Sequence, residues 1–386
     1  VVPIVAGALN DPAALLDADP SPPATLEFHR VHVPLRRPHR SAHGEERTRE
    51  SILVRWTHAD GTVGWGECPA LTGTGYVTES TDRAWDALCG TIGPATARGD
   101  LVPAEVVRSH PASTAAMADA RLDAVLRSQG RSLADLWSAA RRVAGTTVLA
   151  MVGEPPEVVA ERAAEAVSLG AAMVKVKAVV GSAAPLVRAV LDAVGSTPVA
   201  VDLNGSSGDP GGGWPPDLDE LVQLPLAYLE QPFDPSVPDG SWVRLAGRGT
   251  VRLAVDESAD SPDSIERMVR SGAAAVVSVK PARLGGVVAA GAAAGRARAL
   301  GAQVFVGGMF ELGVGRSSAL ALAAADPTDL PTDLGPSDRY VAEDVTEAIV
   351  ADRTGRIVVP RTLGAAQPPT AAALERFGIQ VHRVVR

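Results

Sequence analysis

From Thr146 to Ala325 the sequence alternates short apolar, β-prone runs with Ala-rich helical stretches at a nearly constant step. Residues 148–152, 173–177, 199–203, 227–230, 253–256, 275–280 and 303–306 read as strands. Helices are expected near 156–169, 184–194, 218–223, 241–247, 262–271, 287–300 and 316–325. A helix after every strand carries the chain back to the same end of the sheet, so successive strands run parallel. Seven or eight such units closing on themselves make a (β/α) barrel of the TIM type. A doubly wound open sheet is the alternative. It is weakened because no Gly-x-Gly-x-x-Gly turn, the mark of a dinucleotide site, follows the first strand.

The chain ahead of this region has another rhythm. Residues 1–25 are rich in Pro, Ala and Asp and predict an irregular extension, whose apolar opening lacks the basic flank of a signal peptide. Residues 26–35, 51–57 and 62–67 are β-prone, and Asp60-Gly61 predicts a hairpin between the last two. Helical stretches near 78–90 and 112–128 follow. The expected organisation is an α+β domain over 26–145, the barrel over 146–340, and a segment over 341–386 that packs back on the first domain.

Composition excludes several classes. With 386 residues, 46% hydrophobic and 21% charged, the chain is globular and neither disordered nor fibrous. A net charge of −9 argues against nucleic acid or an anionic membrane as partner. No apolar run approaches the length of a transmembrane helix. Cys68 and Cys89 are the only cysteines, too few for a disulfide framework, so a cytoplasmic location is expected.

The lysines are unusual. Lys and Arg total 36, yet lysine occurs only at Lys175, Lys177 and Lys280. Arginine replaces lysine wherever a generic positive charge suffices, but it cannot lose and regain a proton, whereas a desolvated lysine can. The surviving lysines therefore point to proton chemistry. Lys177, Asp202, Glu230, Asp256 and Lys280 fall at or near successive strand ends, at steps of 25, 28, 26 and 24 residues. In a barrel those ends converge on one mouth, where chemistry is placed. Three neighbouring carboxylates need a counter-charge. A hard divalent cation supplies it, and all-oxygen ligation favours Mg²⁺ over zinc. No histidine lies between His110 and His382 to serve a zinc or copper site.

Lys175 and Lys177, two apart on one strand, share a face, and Lys280 lies four strands away on the opposite side of the ring. A bound substrate would meet an amine on each side. Neighbouring cations are expected to lower a lysine's pKa toward neutrality and make it a base. General base catalysis contributes ~10²–10⁴-fold, or about 3–5 kcal/mol. Removing a proton next to a carboxylate demands more, which Lewis-acid stabilisation of the enediolate provides. The mouth is formally positive and suits a small carboxylate substrate.

These residues carry a resemblance. Lys175-Val-Lys177, Asp202-Leu-Asn204, Leu229-Glu230-Gln231-Pro232, Asp256-Glu257-Ser258, Lys280-Pro281-Ala282-Arg283-Leu-Gly-Gly, Gly307-Gly308-Met309-Phe-Glu311 and Gly64-Trp65-Gly66-Glu67-Cys68 resemble the enolase superfamily. The similarity is to its branch of o-succinylbenzoate synthases and N-succinylamino acid (N-acylamino acid) racemases, and it spans about 26–340. It implies an N-terminal α+β capping domain over a modified TIM (β/α) barrel, with Mg²⁺ (Mn²⁺ as a substitute) on Asp202, Glu230 and Asp256. It implies that Lys177 removes the proton α to the substrate carboxylate and, in a synthase, returns it to the departing hydroxyl in a syn dehydration toward menaquinone. Lys280 then stabilises the intermediate, or in a racemase acts as the second acid/base. Glu257 is expected to orient Lys280, and Asn204 to support the metal site. Arg283, Gly308, Met309 and Glu311 belong to the substrate or supporting shell, and loops 34–49 and 70–76 should close over the mouth. Met151 and the glycine-rich run 205–213 depart from the family pattern and touch the pocket wall.

The first expectation is thus an Mg-dependent hydro-lyase of the o-succinylbenzoate synthase type, with N-succinylamino acid racemisation as the alternative. A homo-oligomer is compatible with either. Other classes remain: a Schiff base on Lys177 or Lys280, which leaves the three acids unexplained, and a non-catalytic metal scaffold, which leaves the lysines without purpose. Gly285-Gly286 reads as tight loop geometry rather than a phosphate site. The cluster Arg36-Arg37-Pro38-His39-Arg40 reads equally as an anion site or a solvated loop, and Cys68 as a small buried residue.

Overall fold

The computed structural model describes residues 11–41, 44–73, 79–150, 154–209, 213–325 and 328–385. Among the described residues the first element is helix α1 (Pro12–Ala18), within the 1–25 stretch expected to be irregular. Asp11 caps it by accepting from Ala13 N, and Leu15 is buried. Strands β1 (Thr25–Ser41), β2 (Gly44–Thr57) and β3 (Val63–Cys68) then form an antiparallel sheet. Their alternation buries both faces. Leu26, Phe28, Ile52, Val54 and Trp56 pack on the helical side, and Val31, Val33, Leu53 and Trp65 on the other.

The helical layer comprises α2 (Thr81–Ala87), α3 (Gly93–Arg98), α4 (Ala104–Ser109), α5 (Pro111–Ser128) and α6 (Leu133–Leu136). A single helix was expected near 78–90; instead α2 runs into one π-helical turn, Leu88–Ile92, before α3. Helix α5 lies against β3 at backbone distance. A Cβ at Gly64 would stand 2.2 Å from Ala120 O, and one at Gly66 would stand 2.1 Å from Ala116 O. Glycine at both positions is what lets the helix seat.

A short strand β4 (Arg142–Val143) precedes the barrel, whose strands and helices alternate as the spacing predicts. They are β5 (Thr146–Ala150), α7 (Pro156–Ser168), β6 (Met173–Lys177), α8 (Ala183–Val194), β7 (Val199–Asp202), α9 (Pro216–Leu221) and β8 (Leu229–Glu230). There follow α10 (Asp239–Ala246), β9 (Leu253–Val255), α11 (Pro262–Arg270), β10 (Val276–Val279), α12 (Val287–Ala299), β11 (Gln303–Val306) and α13 (Gly313–Ala323). The seven strands pair in parallel in the order β11-β10-β9-β8-β7-β6-β5.

An irregular stretch closes the ring. Asp329 N and Asp333 N donate to Val304 O and Val306 O of β11, at 2.8 and 3.1 Å. On the other edge Thr332 N donates to Ala144 O and accepts on its carbonyl from Thr146 N, at 3.0 and 2.8 Å. Residues 329–333 thus act as an eighth stave. Beyond it, β12 (Ile357–Val358) pairs with β4, and α14 (Ala371–Phe377) leads to β13 (Gly378–Val385), which adds antiparallel to β1.

Inside the barrel, Met173, Ala200, Tyr228, Ala254, Val276 and Phe305 fill the floor, with the Tyr228 and Phe305 rings stacked at 5.3 Å. A larger apolar shell lies between strands and helices. Among the described residues no helix is long and apolar enough to cross a membrane.

Candidate active site

Strand register sets the first part of the site. Lys177 on β6 stands beside Asp202 on β7, and Asp202 beside Glu230 on β8. Asp256 follows the last residue of β9 and Lys280 the last of β10. Three strands therefore separate Lys177 from Lys280 around the curve of the sheet.

Lys175 lies one turn of the pleat below Lys177, above the aromatic floor, with its ammonium 5.4 Å from the centre of the Phe305 ring. It donates to Glu230 Oε2 at 2.8 Å and to Asp333, and stands 3.9 Å from Asp202 Oδ2. Lys177 is at the lip, its side chain 33% exposed and its ammonium 3.3 Å from Asp202 Oδ2. It donates to Asn204 Oδ1 at 3.2 Å, while Asn204 Nδ2 donates to Glu257 Oε1 at 3.1 Å. Across the mouth, Lys280 donates to Asp256 Oδ2 at 2.7 Å, and Arg283 donates to Asp256 Oδ1 at 2.9 Å. Gly308, Met309 and Glu311 follow β11, where Glu311 Oε1 accepts from Met309 N at 2.8 Å and Oε2 is buried without a hydrogen-bond partner.

Charge and burial compete throughout. Burial drives the Glu230 carboxyl well above its ordinary range, Lys175 offsets this only in part, and Asp202, Asp256 and Asp333 add to the rise. Burial also opposes ionisation of Asp256, but Arg283 and Lys280 outweigh it and hold that carboxyl well below its usual range. For Lys175 desolvation is overcome by Asp333 and Glu230, which hold the ammonium well above its ordinary value. Lys177 is raised too: burial lowers it, but Asp202 more than compensates. The expectation of a lysine brought toward neutrality by neighbouring cations is not met here, because its nearest charged partner is a carboxylate.

One residue of this cluster, Asp333, escaped sequence reasoning, and a second, Gln231, was part of the Leu229-Glu230-Gln231-Pro232 motif but carried no role. Asp333 comes from the irregular eighth stave, which contains Pro331 and no β-prone run. The signal was its position, one further strand–helix step beyond Val306. Gln231 ties β8 to β9: its Oε1 accepts from Asp256 N at 3.0 Å and Ser258 N at 3.2 Å, and its Nε2 donates to Ser258 Oγ at 2.8 Å. Asn204, Gln231 and Phe310 all sit just past strand ends with positive φ of 42, 39 and 66°, strained backbone of the kind that gathers at functional sites.

Residues 34–49, expected as a loop, are instead the far end of the β1–β2 hairpin, where the strands run on in antiparallel pairing. Residues 42–43 and 74–78 lie outside the described residues, as do Met151 and residues 210–212 of the glycine-rich run. On β2, Arg49 reaches the barrel side: it is buried and donates to Ala70 O at 3.1 Å and Phe310 O at 2.8 Å. In the basic cluster Arg36 donates to Val341 O at 3.1 Å. Cys68 is buried, as expected of a small core residue, and desolvation pushes its thiol well up, away from the thiolate form.

Comparison with known proteins converges on one fold. The family described as enolase C-terminal domain-like matches residues 158–368. An N-succinylamino acid racemase from an Amycolatopsis species is 31% identical over 361 residues, 91% of this chain and 96% of the relative. An o-succinylbenzoate synthase from Listeria innocua is 26% identical over 345 residues, 86% of this chain and 90% of the relative. The solved structure of a probable mandelate racemase from Alicyclobacillus acidocaldarius superposes with a TM-score of 0.83 at 34% identity, over 94% of this chain and 97% of that one.

Proposed function

The chain belongs to the enolase superfamily, and from that membership we propose that it removes the proton α to a substrate carboxylate, as an o-succinylbenzoate synthase. One observation carries the reading: Lys177, Asp202 and Glu230 stand level on adjacent strand ends, with Lys280 held at the end of β10, four strands from Lys177 on β6. Lys177, half-buried at the lip, would take the proton and, in the synthase, give it back to the leaving hydroxyl on the same face. Lys280 and Arg283 form the opposing wall and favour negative charge developing on the substrate. Lys175, buried and multiply paired, is a fixed positive charge rather than a base.

A divalent cation suits this chain's donor set. Among the described residues, no three Asp, Glu, His or Cys side chains are gathered closely enough to be a ready metal cage, because each strand-end acid is turned toward a cationic side chain. Yet Asp202, Glu230, Asp256, Glu257 and Asp333 outnumber Lys175, Lys177, Lys280 and Arg283, and Glu257 Oε2 and Asp333 Oδ1 are buried with no hydrogen-bond partner. Burying that surplus of carboxylates calls for further positive charge. Asp202, Glu230 and Asp256 are the residues that would hold the ion, Mg²⁺ by the hardness of an all-oxygen set. When bound it would supply charge neutralisation at the substrate carboxylate and take over the Asp202 charge that now raises Lys177.

Racemisation of N-succinylamino acids is the second reading, favoured by the presence of an amine with its own carboxylate partner on each side of the site. One experiment separates the two. The protein is incubated with Mg²⁺ and N-succinylamino acids in D₂O, and α-proton exchange is followed beside a dehydration assay on the cyclohexadiene carboxylate bearing a succinyl arm. Dehydration without exchange supports the synthase, exchange without dehydration the racemase, and neither activity would overturn the proposal.

A further inference from the structure

We propose that Asp119, on helix α5 of the N-terminal unit, is a positioning residue for Lys280. Lys280 opens a tight turn in which Arg283 N donates to Lys280 O at 3.0 Å and Gly286 N to Pro281 O at 2.9 Å. The turn ends at Gly286, φ 109°, where α12 begins with no side-chain cap from its own sequence. Asp119 Oδ1 supplies that cap from another part of the fold, accepting from Val287 N at 2.8 Å. The fit is close: a Cβ at Gly286 would stand 2.7 Å from the same oxygen.

A second observation points the same way. Ala282, between Lys280 and Arg283, is buried in one cluster with Ala112, Ala116, Met117 and Ala120 of α5. Helix α5 is itself seated on β3 through Gly64 and Gly66. The contacts therefore run from β3 to α5, to the turn, and through Lys280 and Arg283 to Asp256. Glu67 repeats the arrangement on the next loop, accepting from Leu312 N at 2.7 Å and Gly315 N at 2.8 Å at the start of α13. The sheet and α5 thus set the geometry of the mouth as well as covering the barrel.

The inference rests on the reading of Lys280 as an amine that faces substrate. Its test uses Asp119→Ala, Asp119→Asn and Gly286→Ala. With D- and L-N-succinylamino acids in D₂O, Asp119→Ala should slow α-exchange of the enantiomer served by Lys280 by about 10–100-fold, the effect of a small misplacement. Exchange of the enantiomer served by Lys177 should change little, and Asp119→Asn, whose amide oxygen still accepts from Val287 N, should restore the rate. Should Asp119→Ala not fold, Gly286→Ala, which strains the turn and crowds the same oxygen, is expected to give the same one-sided loss. Independently of turnover, hydrogen exchange at the Val287 amide should quicken in Asp119→Ala and not in Asp119→Asn. Equal loss for both enantiomers, or an unchanged Val287 amide, overturns the inference. A wild-type protein that exchanges neither enantiomer removes the racemase reading and leaves the synthase to the dehydration assay, and the amide measurement still decides whether Asp119 anchors the turn.

Discussion

Lys175 and Lys177 are two residues apart on one strand, yet they sit in different environments. Lys175 is the counter-charge of Glu230 and Asp333 at the bottom of the mouth, whereas Lys177 is open at the lip. Substitution should separate them. Lys177→Ala is expected to lower kcat by ~10²–10⁴-fold, the usual worth of a general base, while leaving urea unfolding almost unchanged. Lys175→Ala strands buried carboxylates and should cost about 3–5 kcal/mol in the same unfolding measurement. Equal effects on stability would contradict the assignment of roles. The acids give a second expectation. Mg²⁺ should raise the melting temperature, the rise growing with the logarithm of Mg²⁺ concentration above its dissociation constant, and Asp202→Asn should abolish the rise seen by calorimetry; a rise retained in full would remove Asp202 from the ion's ligands. Most of this cluster was legible because spacing places Lys177, Asp202, Glu230, Asp256 and Lys280 at strand ends. Asp333 was not, since nothing local marks 329–333 as a strand: its backbone is held by hydrogen bonds to β11 on one edge and to Ala144 and Thr146 on the other, contacts distant in sequence.

Elements show the same division. The barrel strands and helices follow from periodicity, and the observed bounds differ from the expected ones by only a few residues, mostly at strand ends such as β8, which is reduced to Leu229–Glu230. Short strands between buried helices are specified by apolar runs alone. By contrast, the seating of α5 on β3 depends on a pair of backbones touching, which no propensity encodes. The Gly64-Trp65-Gly66 motif was visible, but its meaning came only with the helix across it. Gly66→Ala should therefore be far more costly than a typical core change. Its Cβ would fall 2.1 Å from Ala116 O, a backbone atom that cannot turn aside. A loss of about 3 kcal/mol or more is expected by denaturant titration, at the upper end of overpacking costs. A soft response, under about 1 kcal/mol, would mean that α5 can slide on the sheet. The Asp119 contact would then be correspondingly loose.

For the whole molecule, the join between sheet and barrel makes stability depend on pH. Glu67, on β3, reaches from the sheet to the start of α13, accepting from Ser51 Oγ at 2.9 Å as well as from two backbone amides. Burial outweighs those donors, and Arg49 nearby, and pushes its carboxyl up to about 7. Asp119 is pushed up to about 7 as well, by burial despite its bond from Val287 N, with Asp123 adding to the rise. In the unfolded chain both groups titrate at ordinary carboxylate values. Between those values and about pH 7 the folded protein holds protons that the unfolded chain has released. Unfolding then releases protons, so stability is greatest below the unfolded pKa and falls as pH rises through this window. For Glu67 alone the change is on the order of 3 kcal/mol. Urea unfolding at pH 5 and pH 7.5 should show the wild type less stable at the higher pH. Glu67→Gln should remove its own share of that difference, and the slope remaining should belong to Asp119 together with the other carboxyls that burial raises, Glu230 among them. Were the two proteins to lose stability in parallel across the window, Glu67 would be ionised throughout, held by its three donors against the cost of burial.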